Sequence, residues 1–307
     1  MQTVTLDHLT KRYGGRTAVN EISLTLGEGV YGLLGANGAG KTTLMRMLCG
    51  ILEPDGGRIL YGSSDIARLG EDYRAMLGYL PQDFGYYPDF TALEFLRYMA
   101  CLKGLTRTEA DHRIPALLGQ VGLAEVGKKK IRAYSGGMKQ RVVIALALAC
   151  NPKLLIADEP TTALDVTIQA QVLELMRKIR DEYDMSMIMI THDLGIVAEI
   201  CDSVAVMYAG RIVERGTLAD VFLRTKHPYT EGLFNSLPDI SNRKAALKPI
   251  PGMMPDPSNL PKGCAFAPRC QYATEKCYKT RPDVTRFSDT HSVMCLAYED
   301  SEFHLKD

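Results

Sequence analysis

Short apolar or β-branched runs alternate with amphipathic stretches along the chain. The runs predict strands at Thr3–Leu6, Ile22–Leu26, Val30–Leu34, Leu154–Ala157, Met185–Ile190 and Ser203–Tyr208. The amphipathic stretches predict helices at Lys41–Cys49, Ala92–Leu102, Arg107–Val121, Met138–Ala149, Thr167–Tyr183 and Leu194–Ile200. The run KLLIAD, ending at Asp158, has no polar alternation and reads as a strand buried on both faces. Strands alternating with helices predict an α/β fold with a largely parallel sheet. Ile22–Leu26 and Val30–Leu34 flank a Gly-Glu-Gly turn, which predicts an antiparallel contribution near the start. From about Thr91 to Leu123 only helical periodicity is present, so this stretch reads as a helical insertion.

The pattern changes after about Leu237. Pro249, Pro251, Pro255, Pro257 and Pro261 exclude a helix or a central strand and predict an extended connector. Four cysteines and few apolar runs follow, which predicts a small separate unit. Apolar residues make up 46% and charged residues 23% of 307, a globular balance that excludes disorder over the whole length. Lys and Arg balance Asp and Glu at 36 each, so no global basic field points to nucleic acid or to an anionic membrane surface. The longest apolar run, Val142 to Cys150, is too short to span a bilayer. The N-terminus lacks the apolar core of a signal peptide, so the expected compartment is the cytosol, with cysteines mostly reduced.

Gly35-Ala36-Asn37-Gly38-Ala39-Gly40-Lys41-Thr42, followed by Thr43, fits a phosphate-binding loop between a strand and a helix. Its glycines let backbone N–H groups turn toward phosphate oxygens, and the helix dipole adds to the attraction. Lys41 is placed for the β- and γ-phosphates and the Thr42 hydroxyl for Mg²⁺. The strand before Asp158 and Glu159 ends in two carboxylates. Asp158 suits Mg²⁺, and Glu159 can orient and polarise an attacking water. Ser135-Gly136-Gly137, ahead of Met138-Lys139-Gln140, puts a good N-cap and two glycines before a helix, a second phosphate-contacting terminus. Met185, Met187 and Met189 alternate along one strand and read as core. Lys128, Lys129 and Lys130 read as a solvated loop.

The order of these pieces resembles the nucleotide-binding domain of ABC transporters. The resemblance covers roughly residues 2–235 and implies a nucleotide-binding domain at 1–237, with a helical subdomain at about 84–150, followed by a Pro-rich connector and Cys-rich extension at 238–307. It implies that Tyr13 stacks on adenine and that Gln82 senses Mg²⁺ and the attacking water. It assigns Ser135, Gly136, Gly137 and Gln140 to the signature that acts on a partner's ATP. Asp158 and Glu159 become the second nucleotide motif and the catalytic carboxylate, and Asp165, after Ala163 and Leu164, lies in the loop that meets the other ATPase. His192 becomes the switch histidine at the γ-phosphate. Two such domains then close over ATP as a homo- or hetero-pair and reopen after hydrolysis, driving a membrane partner.

Cys264, Cys270, Cys277 and Cys295 are separated by five, six and seventeen residues, and a reduced cluster of this kind suggests tetrathiolate metal binding. The spacing is not that of a zinc ribbon. Cys49, Cys101, Cys150 and Cys201 sit in apolar stretches and read as small core residues. His227-Pro228-Tyr229-Thr230, PGMMPDP and GCAFAPRC resemble the C-terminal extension of dipeptide and oligopeptide importer ATPases. That resemblance implies an iron–sulfur cluster on the four cysteines, with zinc and no metal left open by the residues themselves.

From Met138 onward the chain resembles peptide-importer ATPases, whereas the part before resembles multidrug or antibiotic-type exporter ATPases. The seam lies near residues 133–145. The implied function is ATP hydrolysis powering dipeptide or oligopeptide import, the alternative being export. The implied partners are integral membrane permease subunits and an extracytoplasmic substrate-binding protein, with the chain peripheral on the cytoplasmic face. A soluble ABC protein acting on nucleic acid is disfavoured by the single phosphate loop, the absence of heptads and the zero net charge.

Overall fold

Residues 2–162, 164–237, 248–256, 258–299 and 305 are described by a computed structural model. Ala163, Pro257 and connector residues 238–247, named above, lie outside the described residues. The strands in chain order are β1 (Val4–Tyr13), β2 (Arg16–Leu26), β3 (Val30–Leu34), β4 (Gly56–Tyr61), β5 (Ser64–Asp65), β6 (Leu77–Leu80), β7 (Leu154–Asp158), β8 (Ser186–Ile190), β9 (Ser203–Tyr208), β10 (Arg211–Thr217), β11 (Thr285–Arg286) and β12 (Ser292–Val293). The α-helices are α1 (Lys41–Leu48), α2 (Ile66–Leu69), α3 (Glu71–Ala75), α4 (Ala92–Leu102), α5 (Arg107–Gln120), α6 (Gly136–Leu148), α7 (Val166–Tyr183), α8 (Leu194–Ile200), α9 (Leu218–Leu223), α10 (Pro228–Asn235) and α11 (Glu275–Lys279).

One sheet has the order β2-β1-β4-β5 and is antiparallel. The other has the order β11-β12-β10-β9-β3-β8-β7-β6. From β9 to β6 its neighbours are parallel, and β10, β12 and β11 extend it antiparallel.

Alternation along the parallel strands divides the core. Leu34, Leu155, Ala157, Met187 and Met189 join the cluster built with α4 to α8. Leu33, Leu154, Ile156, Ile188 and Ile190 join Leu44, Met47 and Leu48 of α1 and the apolar face of the antiparallel sheet. Both faces are covered, which is why KLLIAD carries no polar alternation and all of β7 is buried. Met185, Met187 and Met189 are core as expected, and Lys128, Lys129 and Lys130 are exposed.

The turn at Gly27–Gly29 does not make a hairpin, a correction to the antiparallel pairing expected there. Strand β2 pairs with β1, while β3 crosses to the other sheet between β8 and β9. Val30, Leu33 and Leu34 need burial on both faces, and a two-stranded hairpin covers one. Asp202 fixes the crossing, its Oδ2 accepting from Val30 N–H at 2.7 Å.

The expected helical insertion is present. Thr91 with Glu94 and Thr106 with Glu109 form capping boxes at the starts of α4 and α5. Ser135 caps α6, its Oγ accepting from Met138 N–H at 3.3 Å. Cys49 and Cys201 are buried, Cys150 is half-buried and Cys101 is exposed. Cys101 therefore departs from the core role expected of it, because it lies on the outward face of α4. The Cys-rich extension returns to the larger sheet, where β12 pairs with β10.

Candidate active site

Gly35 leaves β3 into the loop with φ +153°, and Gly40 opens α1 with φ +103°. Any Cβ at Gly35 would meet the Met207 carbonyl oxygen at 2.3 Å, and one at Gly40 the Ala18 carbonyl oxygen at 2.2 Å. Both positions therefore require glycine for backbone angle and for space. The loop opens onto a cleft of about 700 Å³ lined by Tyr13, Arg16, Ala18, Asn37, Gly38, Gly40, Lys41, Thr42, Thr43, Gln82, Asp158, Glu159 and His192. Residues from five separate stretches of chain thus converge, because β3, β7 and β8 are parallel neighbours and end on the same side.

Lys41 is buried, and its Nζ donates to the Gly35 carbonyl at 2.5 Å and to the Ala36 carbonyl at 3.2 Å. Burial pushes its ammonium pKa down, against the pull of Glu159 and Asp158. Asp158 ends β7 and is also buried. Burial and the neighbouring Glu159 push its carboxyl pKa up, against Lys41 and Arg46. These groups are poised for ligands that restore what burial removes: anionic phosphate for Lys41 and a cation for Asp158. The oxygen donors Asp158 and Thr42 in one cleft fit Mg²⁺, a hard cation that takes few protein ligands.

Glu159 has φ +49°, and its N–H donates to the Ile190 carbonyl of β8 at 2.8 Å. This turn aims the carboxylate into the cleft. His192 Nδ1 lies 2.7 Å from Glu159 Oε1, while Oε2 accepts from the hydroxyls of Thr162 at 3.1 Å and Thr191 at 3.4 Å. The carboxylate is thus oriented from three sides, with the His192 ring exposed at the rim. Tyr13 is half exposed at another edge of the cleft, with Lys11 Nζ 6.0 Å from its ring centroid.

Ser135, Gly136, Gly137 and Gln140 do not line this cleft. Ser135 and Gly136 are exposed, whereas Gly137 is buried, and a Cβ there would meet Ile168 Cγ2 at 2.5 Å. Asp165 is exposed and caps α7, its Oδ1 accepting from Ile168 N–H at 2.9 Å.

The sequence does not point to Arg16, Ala18, Thr162 or Thr191, and it marks Tyr229 only as part of the His227–Thr230 motif of the extension, not as a neighbour of this site. Arg16 and Ala18 flank the loop through tertiary contact alone. Tyr229 reaches it across 193 residues of chain, donated to by the Ala36 N–H at 3.0 Å. Nothing local in the sequence marks that contact.

The four tail cysteines are half-buried and free. Burial pushes Cys270 up to about 11 and Cys295 up to about 12. Among the described residues, no three His, Cys, Asp or Glu side chains are grouped to hold a metal ion. The expected iron–sulfur cluster on Cys264, Cys270, Cys277 and Cys295 therefore has no support in this geometry. The Cys264, Cys270 and Cys295 thiols are raised by burial toward the protonated form, the weaker ligand.

Residues 19–162 match the family described as ABC transporter, and residues 213–277 match the oligopeptide/dipeptide transporter C-terminal region. The chain is 40% identical to the oligopeptide transport ATP-binding protein AppD of Bacillus subtilis, over 92% of each chain. It is 40% identical to the dipeptide transport ATP-binding protein DppD of Bacillus subtilis, over 95% of this chain and 92% of the relative. It is 41% identical to the oligopeptide transport ATP-binding protein OppD of Salmonella typhimurium, over 92% and 89%. These matches run through both halves, across the seam expected near residues 133–145. Among solved structures, cbiO1 from Clostridium perfringens, part of the ABC transporter complex cbiONQ, superposes with a TM-score of 0.67 at 30% identity, covering 72% of this chain and 90% of that one. An ATP-binding subunit of an ABC transporter gives 0.64 at 29% identity, covering 75% and 97%.

Proposed function

This chain belongs to the ABC transporter family of oligopeptide and dipeptide transport ATP-binding proteins, and we propose that it hydrolyses ATP to drive peptide import through a membrane permease. The observation that carries the reading is the single cleft holding the phosphate loop, Lys41, Asp158 and the Glu159–His192 pair.

ATP enters with its adenine against Tyr13 and its phosphates on the N–H groups of Gly38 to Thr43. Lys41 leaves the Gly35 and Ala36 carbonyls for the β- and γ-phosphates. Mg²⁺, when held by Thr42 and Asp158, neutralises charge on the phosphates. Glu159 accepts a hydrogen bond from the attacking water and aligns it with the γ-phosphorus, while His192 and Gln82 border the same position. Water adds to phosphorus, the bond to the β-phosphate oxygen breaks, and ADP and phosphate leave. In this reading Ser135, Gly136, Gly137 and Gln140 complete the site of a second ABC ATPase, and Asp165 lies at the joint. The exposure of Ser135, Gly136 and Asp165, and the position of all five outside their own cleft, support action in trans.

Among the described residues no helix is long and apolar enough to cross a membrane. In this reading, which rests on the likeness to peptide-transport ATP-binding proteins, the chain works from the cytoplasmic face beside permease subunits. An extracytoplasmic binding protein supplies the peptide. The test is uptake of labelled oligopeptide into right-side-out vesicles carrying the assembled transporter, with ATP sealed inside. Uptake that requires ATP on the outside of inverted vesicles, with peptide leaving rather than entering the cell-equivalent compartment, points to export and overturns the import reading.

A further inference from the structure

The Ala36 N–H and the Gly35 carbonyl belong to one peptide plane, the first of the phosphate loop. The carbonyl accepts from Lys41 Nζ at 2.5 Å, and the N–H donates to the Tyr229 hydroxyl at 3.0 Å. The plane is therefore pinned at both ends: by the lysine that must move to the phosphates, and by a side chain from α10.

Tyr229 is itself tightly placed. It is buried, with its ring centroid 4.6 Å from that of Tyr208 and 5.5 Å from that of Phe266. Tyr208 and Phe266 meet edge-on at 5.3 Å, which closes a three-ring cluster. Phe266 belongs to the Cys-rich extension, two residues after Cys264. The neighbouring Arg269 donates to the Tyr208 hydroxyl at 3.4 Å, and to the Pro251 and Ile250 carbonyls at 2.8 Å and 3.2 Å. From the other side, the Tyr229 N–H donates to His227 Nδ1 at 3.0 Å, and the His227 N–H donates to buried Glu214 at 3.0 Å.

We propose that Tyr229 is a positioning residue of the ATP site, holding the first peptide of the phosphate loop, and that the Cys-rich extension sets its position through Phe266. The inference rests on the ATPase reading above and adds to it a role for the extension: it supports the loop from behind. A fixed peptide keeps the loop ordered before nucleotide arrives, so less order must be imposed on binding. A loosened peptide costs affinity, while the groups that act on the attacking water, Glu159 and His192, keep their hydrogen bond.

The experiment compares ATP binding and steady-state hydrolysis by the full-length chain with those of Tyr229→Phe and Phe266→Leu. Tyr229→Phe keeps the ring in its cluster and removes only the hydroxyl. We expect its ATP affinity to fall about 3- to 10-fold and KM to rise in step, the effect of one lost hydrogen bond, with kcat within about twofold. Phe266→Leu keeps an apolar side chain at the position and lowers affinity in the same sense. The double variant loses less than the sum, since both act through one peptide. ATP affinity unchanged in folded Tyr229→Phe, or a lowered kcat with unchanged KM, overturns the proposal and leaves the ATPase reading intact. Should Tyr229→Phe fail to fold, unchanged affinity in Phe266→Leu overturns the role of the extension. Failure of the parent chain to bind ATP removes both.

Discussion

Lys41, Asp158 and Glu159 show how a site can be held in tension by burial. The two carboxylates favour the Lys41 charge against burial, whereas Glu159 opposes the charge on Asp158, which Lys41 and Arg46 favour; in the proposed reading, nucleotide and its cation relieve both buried charges. Glu159 differs from its neighbours in being held for direction. Three donors converge on its carboxylate from Thr162, Thr191 and His192. An amide keeps that shape but loses the charge that polarises water. Glu159→Gln should therefore bind ATP as the parent does while phosphate release falls at least about 100-fold. Retained turnover, followed by phosphate release under saturating ATP, would remove Glu159 from its role. At this scale the sequence was highly readable, because a phosphate loop is a local object: glycine spacing, the lysine and the helix that follows are contiguous. Glu159 and His192 were legible for a related reason, since each directly follows a buried apolar strand or its first polar neighbour. Arg16 and Tyr229 were not, because their partners are set by how distant strands pack.

The elements divide along the same physical line. Strands β3, β7, β8 and β9 were legible because two covered faces leave an unbroken apolar run. Strand β10, RIVERGT, was not: it mixes charge with apolar residues and buries Glu214 completely. That burial is explained only by its tertiary partners. Glu214 accepts from the N–H groups of Lys226 and His227 and lies 2.9 Å from His291 Nε2, which joins β10, α10 and the extension. His227 in this joint is held neutral. Burial lowers its pKa from 6.5 to about 4, against the opposing pull of Glu214 and a hydrogen bond with the Met294 backbone. A folded pKa below the unfolded one means the unfolded chain takes up the proton first. Stability from this group is thus complete above pH 6.5 and is lost as pH falls toward 4, by up to about 3 kcal/mol. Protonation of Nδ1 would also take away the acceptor of the Tyr229 N–H. Asp220, also in this region, acts lower down. Burial raises its carboxyl, but hydrogen bonds from Thr217 and Thr290 win and hold it below its ordinary 3.8. Thermal melting of the full chain between pH 7 and pH 4 should show the loss, and His227→Asn, which keeps an acceptor at the cap, should flatten it. An equally steep curve in His227→Asn would assign the acid sensitivity elsewhere.

For the molecule as a whole, the open question of the sequence was which membrane partner it serves, because its two halves resemble different transporter types. The identity to peptide-transport ATPases across 92% of the chain bears on this, since it includes the exporter-like half. The segment that follows Gln82 gives a way to test it. Tyr87 and Tyr98 are among the most exposed aromatic residues, and with Phe90 they form a cluster of contacting rings five residues and more beyond Gln82. Exposed rings packed edge-on or tilted against one another are expensive to leave in water and suit a partner surface. If that surface holds the permease, a gentle-detergent pull-down from native membranes should recover two peptide-permease-like subunits with a second ATPase. Replacing Tyr87 and Tyr98 with serine removes apolar area that the folded chain leaves half in solvent, so ATP affinity and melting should change little while permease recovery falls at least about 10-fold. The two readouts separate docking from folding. Undiminished recovery from the double variant would place the docking surface elsewhere on the chain. Capture of an exporter-type membrane protein by the parent would mean that the first half of the sequence, rather than the peptide-type extension, decides what the ATPase drives.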